Sequence, residues 1–125
     1  MWLSVLAIFC GAGLGGLLRA GFTFAPPMIG SNFYLGTMTS NLVGAYLVGI
    51  AAAFFGTNPS LSPEWRFFVI TGFLGGLTTF STFSLEVVQF IQRGEVATAL
   101  GTALVNLIGS LVLTFLGILT YQALK

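Results

Sequence analysis

Three stretches of this chain, residues 2–18, 35–55 and 96–124, carry no charged side chain. A fourth, residues 66–91, carries only Arg66 at its start and Glu86 near its end. Each run is about as long as the roughly 20 apolar residues that a helix needs to cross a bilayer. Backbone groups in hydrocarbon must be satisfied internally, and a helix does this within one segment. The pattern predicts an all-α membrane protein, with residues 1–125 forming one four-helix transmembrane domain.

Composition agrees. The chain is 56% hydrophobic and 6% charged, against about 25% charged in a soluble domain. The charges are Arg19, Glu64, Arg66, Glu86, Arg93, Glu95 and Lys125, with no Asp and no His. A net charge of +1 leaves no basic footprint for nucleic acid. Cys10 is the only cysteine, so an intrachain disulfide and cysteine metal spacing are both excluded. It reads as a small apolar helix residue. The N-terminal run lacks the positive region and cleavage site of a signal peptide, and is expected to be a retained first span.

The first span closes at Arg19. Pro26, Pro27, Pro59 and Pro63 all fall in the first two connectors, where helix breaking is harmless. Gly11 and Gly15, Ala12 and Gly16, and Gly72 and Gly76 are four residues apart, while Gly101, Gly109 and Gly117 recur every eight. Small residues let helix backbones approach closely in lipid. Four short helices make a thin bundle, so association with a second copy is expected.

Lysine and arginine excess on cytoplasmic connectors normally sets orientation. With both termini on one side, Arg66 and Lys125 lie there, and Arg19 and Arg93 lie opposite. The tally balances. A chain with no orientation preference can insert both ways and pair as an antiparallel dimer.

The third run contains Gly75-Gly76-Leu77-Thr78-Thr79-Phe80-Ser81-Thr82-Phe83-Ser84. Paired glycines permit unwinding, which predicts a helix break near residues 75–79. An interrupted helix frees carbonyls, which suit a hard cation, and N–H groups, which suit anions. In the second run Thr37 and Asn41 lie one turn apart, and Asn in a membrane usually faces the interior. In the fourth, Thr102, Asn106, Ser110 and Thr114 form an i, i+4 stripe. The stripe reads as the wall of a hydrophilic path, against the alternative of interhelical hydrogen bonding alone. Phe80 and Phe83 share a helix face, and aromatic rings have a positive edge. Hydroxyls, amides and ring edges can hold a small anion weakly, as conduction requires.

These residues, with Gly13-x-Gly15-Gly16-x-x-Arg19 and Thr37-x-x-x-Asn41, resemble the Fluc (CrcB) family of fluoride channels. The resemblance covers the whole chain. It implies an antiparallel, dual-topology homodimer in the bacterial inner membrane that exports F⁻ passively through two pores between subunits. It places Phe80, Phe83 and Asn41 on the fluoride pathway, with Thr37, Ser81 and Thr82 beside them. The fourth-span track maps to Thr102, Asn106, Ser110 and Thr114. A structural Na⁺ at the dimer centre is implied, held by the backbone carbonyls of Gly75 and Thr78. Arg19 and Glu86 correspond to charges near the pore mouths. The resemblance implies no enzymatic activity. The alternative is a small dual-topology coupled exporter of the multidrug or fluoride/proton type. The multidrug class depends on a carboxylate deep in its first helix, which this chain lacks. A membrane assembly protein without transport activity is a third reading, in which polar substitutions in the fourth span would be harmless.

Overall fold

A computed structural model describes residues 1–24 and 35–125. The Pro26–Pro27 pair falls outside the described residues. Four helices are long and apolar enough to cross a membrane: α1 (Trp2–Phe24), α2 (Leu35–Thr57), α3 (Pro63–Gln92) and α4 (Val96–Leu124). No strand is present among the described residues. The chain is therefore an all-helical, multi-pass membrane protein.

Helix starts and stops follow local chemistry. Ser62 precedes α3, Pro63 takes a first-turn position that needs no N–H, and Glu64 lies in the first turn against the positive end of the helix dipole. At the other end, Gly94 takes φ +78°, the left-handed conformation that glycine adopts without Cβ strain. The N–H of Glu95 donates to the Phe90 carbonyl at 2.9 Å, and that of Gly94 donates to Ile91 at 3.0 Å. Together they close the helix in a Schellman turn. Arg93 stacks over the Phe90 ring and pairs with Glu95 at 3.3 Å.

The first helix runs six residues beyond Leu18, where the sequence reading closed it. Arg19 does not have to reach the membrane surface, because its Nε donates to the Gly76 carbonyl at 3.0 Å. With its guanidinium bonded inside the bundle, the helix continues through it to Phe24.

Packing uses small residues rather than large ones. Leu3, Leu6, Phe9 and Leu17 on α1 are exposed, as are Leu100, Leu104, Leu107, Leu111 and Phe115 on α4. The buried set includes Gly11, Gly15, Gly44, Gly49, Gly72 and Gly117. This is the arrangement expected where lipid solvates the large apolar side chains and helices gain contact by close approach. α1 crosses α3 through Gly11, Gly15, Gly72 and Gly76. A Cβ added at Gly76 would lie 2.6 Å from the Ala12 carbonyl oxygen, and one at Gly72 would lie 2.9 Å from that of Ile8. α2 meets α4 in the same way through Gly49 and Gly117. Of the eight-residue glycine series, Gly117 sits in that tight contact, Gly109 meets the Leu42 side chain, and Gly101 faces open space.

Candidate functional site

Within α3 the hydrogen-bonding pattern changes four times. Phe67–Leu74 is π-helical, and Gly75–Leu77 returns to the α form. Thr78 (φ −92°, ψ 155°) and Thr79 (φ −149°, ψ 124°) are then extended before Phe80–Gln92 resumes as α-helix. The extended pair lies three residues beyond Gly75, and Gly75 itself is right-handed helical (φ −63°, ψ −37°). Gly76 is needed for its close approach to α1. The unwinding falls on threonines, whose β-branched side chains favour extended backbone.

What holds those threonines open is a side-chain network. The Thr79 N–H donates to Asn41 Oδ1 at 2.8 Å. Asn41 Nδ2 donates to the Thr79 carbonyl at 3.1 Å and to Asn106 Oδ1 at 3.1 Å. Asn106 Nδ2 donates to the Thr102 carbonyl at 3.0 Å. The backbone fixes both amide orientations, since an N–H only donates and a carbonyl only accepts. Asn41 thus replaces the acceptor that the Thr79 N–H loses on leaving the helix, and adds a donor to the Thr79 carbonyl. Thr79 also caps the next segment, its Oγ1 accepting from the Thr82 N–H at 3.2 Å.

The sequence reading offered the Asn41 N–H groups to an anion. Both are already spent on protein oxygens. The Thr78 hydroxyl donates to the Leu74 carbonyl at 2.9 Å, and the Thr114 hydroxyl donates to that of Ala45 at 2.9 Å. The Ser110 hydroxyl has no hydrogen-bond partner among the described residues, and Asn106 Nδ2 keeps a second N–H. Phe80 and Phe83 lie edge to face, with centroids 5.5 Å apart and planes at 68°.

These groups meet in one open groove of about 410 Å³. Asn41, Gly75, Thr78, Thr79, Phe80, Phe83, Asn106, Ser110 and Thr114 line it, with apolar residues of α2, α3 and α4 completing the wall. No lining residue is charged. Phe80 is 76% exposed on its open side.

The remaining expected site residues lie around this groove rather than in it. Ser81 is exposed, its Oγ 3.3 Å from Thr79 Oγ1, and Thr82 is joined to the site through its backbone. The Thr37 hydroxyl donates to Glu86 Oε2 at 2.7 Å, and Glu86 is only 7% exposed. Thr102 is buried and its hydroxyl has no partner. Arg19 bonds to Gly76, beside the extended pair.

Chain-wide comparison decides the kinship. The family model described as "CrcB-like protein, Camphor Resistance (CrcB)" matches residues 6–118. The chain belongs to the CrcB family. Curated relatives of this CrcB chain include a protein of Polynucleobacter asymbioticus, 69% identical over the full length of both chains. Another, from Burkholderia thailandensis, is 52% identical over 98% of this chain and 96% of its own. A third, from Burkholderia mallei, is 51% identical with the same coverage. Each is named "Fluoride-specific ion channel FluC".

Three contributors to the site in this CrcB chain escaped the list of expected site residues. Thr79 is the hub of the network, and its signal was the cap spacing Thr79-x-x-Thr82. Gly44 makes room for the Thr78 side chain, which a Cβ there would strike; nothing local distinguishes it from other packing glycines. Ser40 is fully buried beside Asn41 in sequence, with no partner for its hydroxyl.

Proposed function

We propose that this chain is a fluoride-selective channel that releases F⁻ passively from the cytoplasm, across the inner membrane of a bacterium. One observation carries the reading: an uncharged groove joins ring edges, a free serine hydroxyl and a spare amide N–H beside an opened helix. The names of the relatives supply the ion.

The chemistry suits a small anion. Fluoride is strongly hydrated, so its water must be replaced by several short contacts. Ser110, the second Asn106 N–H, and the edges of Phe80 and Phe83 offer such contacts without a full positive charge that would trap the ion. A larger halide fits the same donors less well. HF crosses a bilayer neutral and ionises inside a cell. The interior-negative potential then drives the anion out, at about 2.3 kcal/mol per 100 mV.

The groove is open on one side, where Phe80 projects. A second copy inserted in the opposite sense closes it. Two such copies make two pathways, and the balanced Lys/Arg tally supports insertion both ways. In this reading the extended pair Thr78–Thr79 lies at mid-membrane depth.

Two carbonyls fit the sodium expectation. The Thr79 N–H, the helical donor for Gly75, goes to Asn41, and the Thr82 N–H, the helical donor for Thr78, goes to the Thr79 hydroxyl. The Gly75 and Thr78 oxygens therefore lack their helical partners, and backbone carbonyls are ligands for a hard cation. A Na⁺ bound there would supply charge that ties the two copies together.

Fluoride discharge from vesicles holding the purified protein tests this reading. With a potassium ionophore and no pH gradient, F⁻ should leave until the potential is balanced, without stoichiometric proton movement. Proton movement matching F⁻ would favour the coupled exporter, and absence of F⁻ discharge would remove the channel reading.

A further inference from the structure

A second groove, of about 450 Å³, shares no residue with the first. It runs between the start of α1 and the start of α3, lined by Leu3, Leu6, Ala7 and Cys10 of the one and Phe68 of the other. Ser62, Glu64 and Trp65 also line it. Glu64 and Trp65 belong to the first turn of α3 and Ser62 just precedes it, beside the proline-bearing connector.

Three observations bear on what fills it. The first is depth. Trp2 and Trp65 are 80% and 57% exposed at this end of the bundle, and tryptophan gathers at the headgroup level of a bilayer. Glu64 thus sits at the headgroups. Leu3, Leu6 and Cys10 form one stripe on α1 that runs about 10 Å down from there, which is acyl-chain depth. The second is charge. Glu64 is the only charged lining residue and forms no ion pair among the described residues. Arg66 is two positions on, a spacing that does not share a helix face, and it does not line the groove. The third is hydrogen bonding. The Ser62 hydroxyl donates to Glu64 Oε2, so the rim presents oxygen acceptors and one negative charge above an apolar slot.

We propose that this groove binds one phosphatidylethanolamine molecule per copy, with its ammonium on Glu64 and one acyl chain against Leu6, Cys10 and Phe68. A primary ammonium brings three N–H donors to these oxygens. The choline headgroup has the same charge and no N–H donor, and an anionic headgroup is repelled.

The test reads Trp65 in a Trp2→Phe background, which leaves it the only tryptophan. The protein is placed in vesicles of phosphatidylglycerol with increasing brominated phosphatidylethanolamine or brominated phosphatidylcholine. Quenching by the ethanolamine lipid should reach its midpoint at a roughly two- to fivefold lower mole fraction, the range expected of one hydrogen bond from the ammonium. Mono- and dimethylation of that amine should raise the midpoint stepwise toward that of the choline lipid in the same protein, which keeps the test independent of any folding defect in a variant. Glu64→Gln should bring the two midpoints together, and Ala7→Phe, which fills the slot, should weaken quenching by both. Equal midpoints in the parent protein, or a preference unchanged by partial methylation or by Glu64→Gln, would overturn the proposal. So would a Trp65 that no brominated lipid reaches, since the groove would then be covered by protein.

Discussion

The seam between α1 and α3 and the junction of α2, α3 and α4 solve the same problem with opposite chemistry. At the seam, glycines bring the backbones of two helices into contact, and among the described residues the one interhelical side-chain bond there joins Arg19 to Gly76. At the junction, two residues leave the helix, and an asparagine bonds both the N–H and the carbonyl of the second. The two regions adjoin, with Gly76 only two residues before Thr78. The first is rigid because nothing but hydrogen fits there. The second is open because a side chain holds it so, and the groove with free donors lies only on that side.

The largest test of this contrast is Gly76→Leu. Its Cβ alone would press on the Ala12 carbonyl, and backbone cannot step aside cheaply. A loss of about 3 kcal/mol or more is expected, seen as a collapse of the monodisperse peak in size-exclusion chromatography. Wild-type elution would mean that α1 and α3 are not locked.

Asn41→Asp should do the reverse, leaving the seam folded while closing the pathway. The carboxylate has no N–H for Thr79 or Asn106 and would face their oxygens. A buried unpaired acceptor costs about 1–3 kcal/mol, and more when charged, so F⁻ flux should fall by roughly a hundredfold at neutral pH. Unchanged flux would show that Asn41 does not hold the opening.

Phe80→Ile and Phe83→Ile remove ring edges and keep apolar bulk. Each should reduce F⁻ flux by roughly tenfold, from an aromatic contribution of up to about 1.5 kcal/mol, with the parent elution profile retained in size-exclusion chromatography. Full flux in both would end the ring-edge role. A smaller effect is expected for Ser110→Ala, about threefold from one hydrogen bond. Thr114→Val should be milder on flux and harsher on stability, because the Thr114 hydroxyl is already committed to Ala45. The reverse order would mean that the free and spent hydroxyls have been confused.

Much of this was legible in the sequence. Four apolar runs gave four helices, because charge is too costly in lipid for any other placement. The Phe80–Phe83 pair followed from helical spacing, and the edge contact is there. The fourth-span stripe was legible in part. Asn106, Ser110 and Thr114 line the groove, but Thr102 is buried outside it, and the π-helical turn at Val105–Gly109 alters the register between them. Other features could not be read from local pattern. Paired glycines promised the unwinding, yet Gly75 is helical and the value of Gly76 lay in contact with a helix some sixty residues away. Arg19 looked like a helix end because its acceptor, Gly76, lies 57 positions on. Asn41 looked like a donor waiting for a ligand because its partners belong to two other helices. Each of these outcomes depends on tertiary proximity, which residue type and spacing do not encode.

The central claim is that a pathway without charge can pass a small hydrated anion and refuse a larger one. Fluoride and chloride efflux, measured with ion-selective electrodes from one preparation of vesicles holding the purified protein, tests it most directly. Fluoride should discharge on addition of a potassium ionophore while chloride stays inside. Chloride leaving as readily as fluoride would contradict the account.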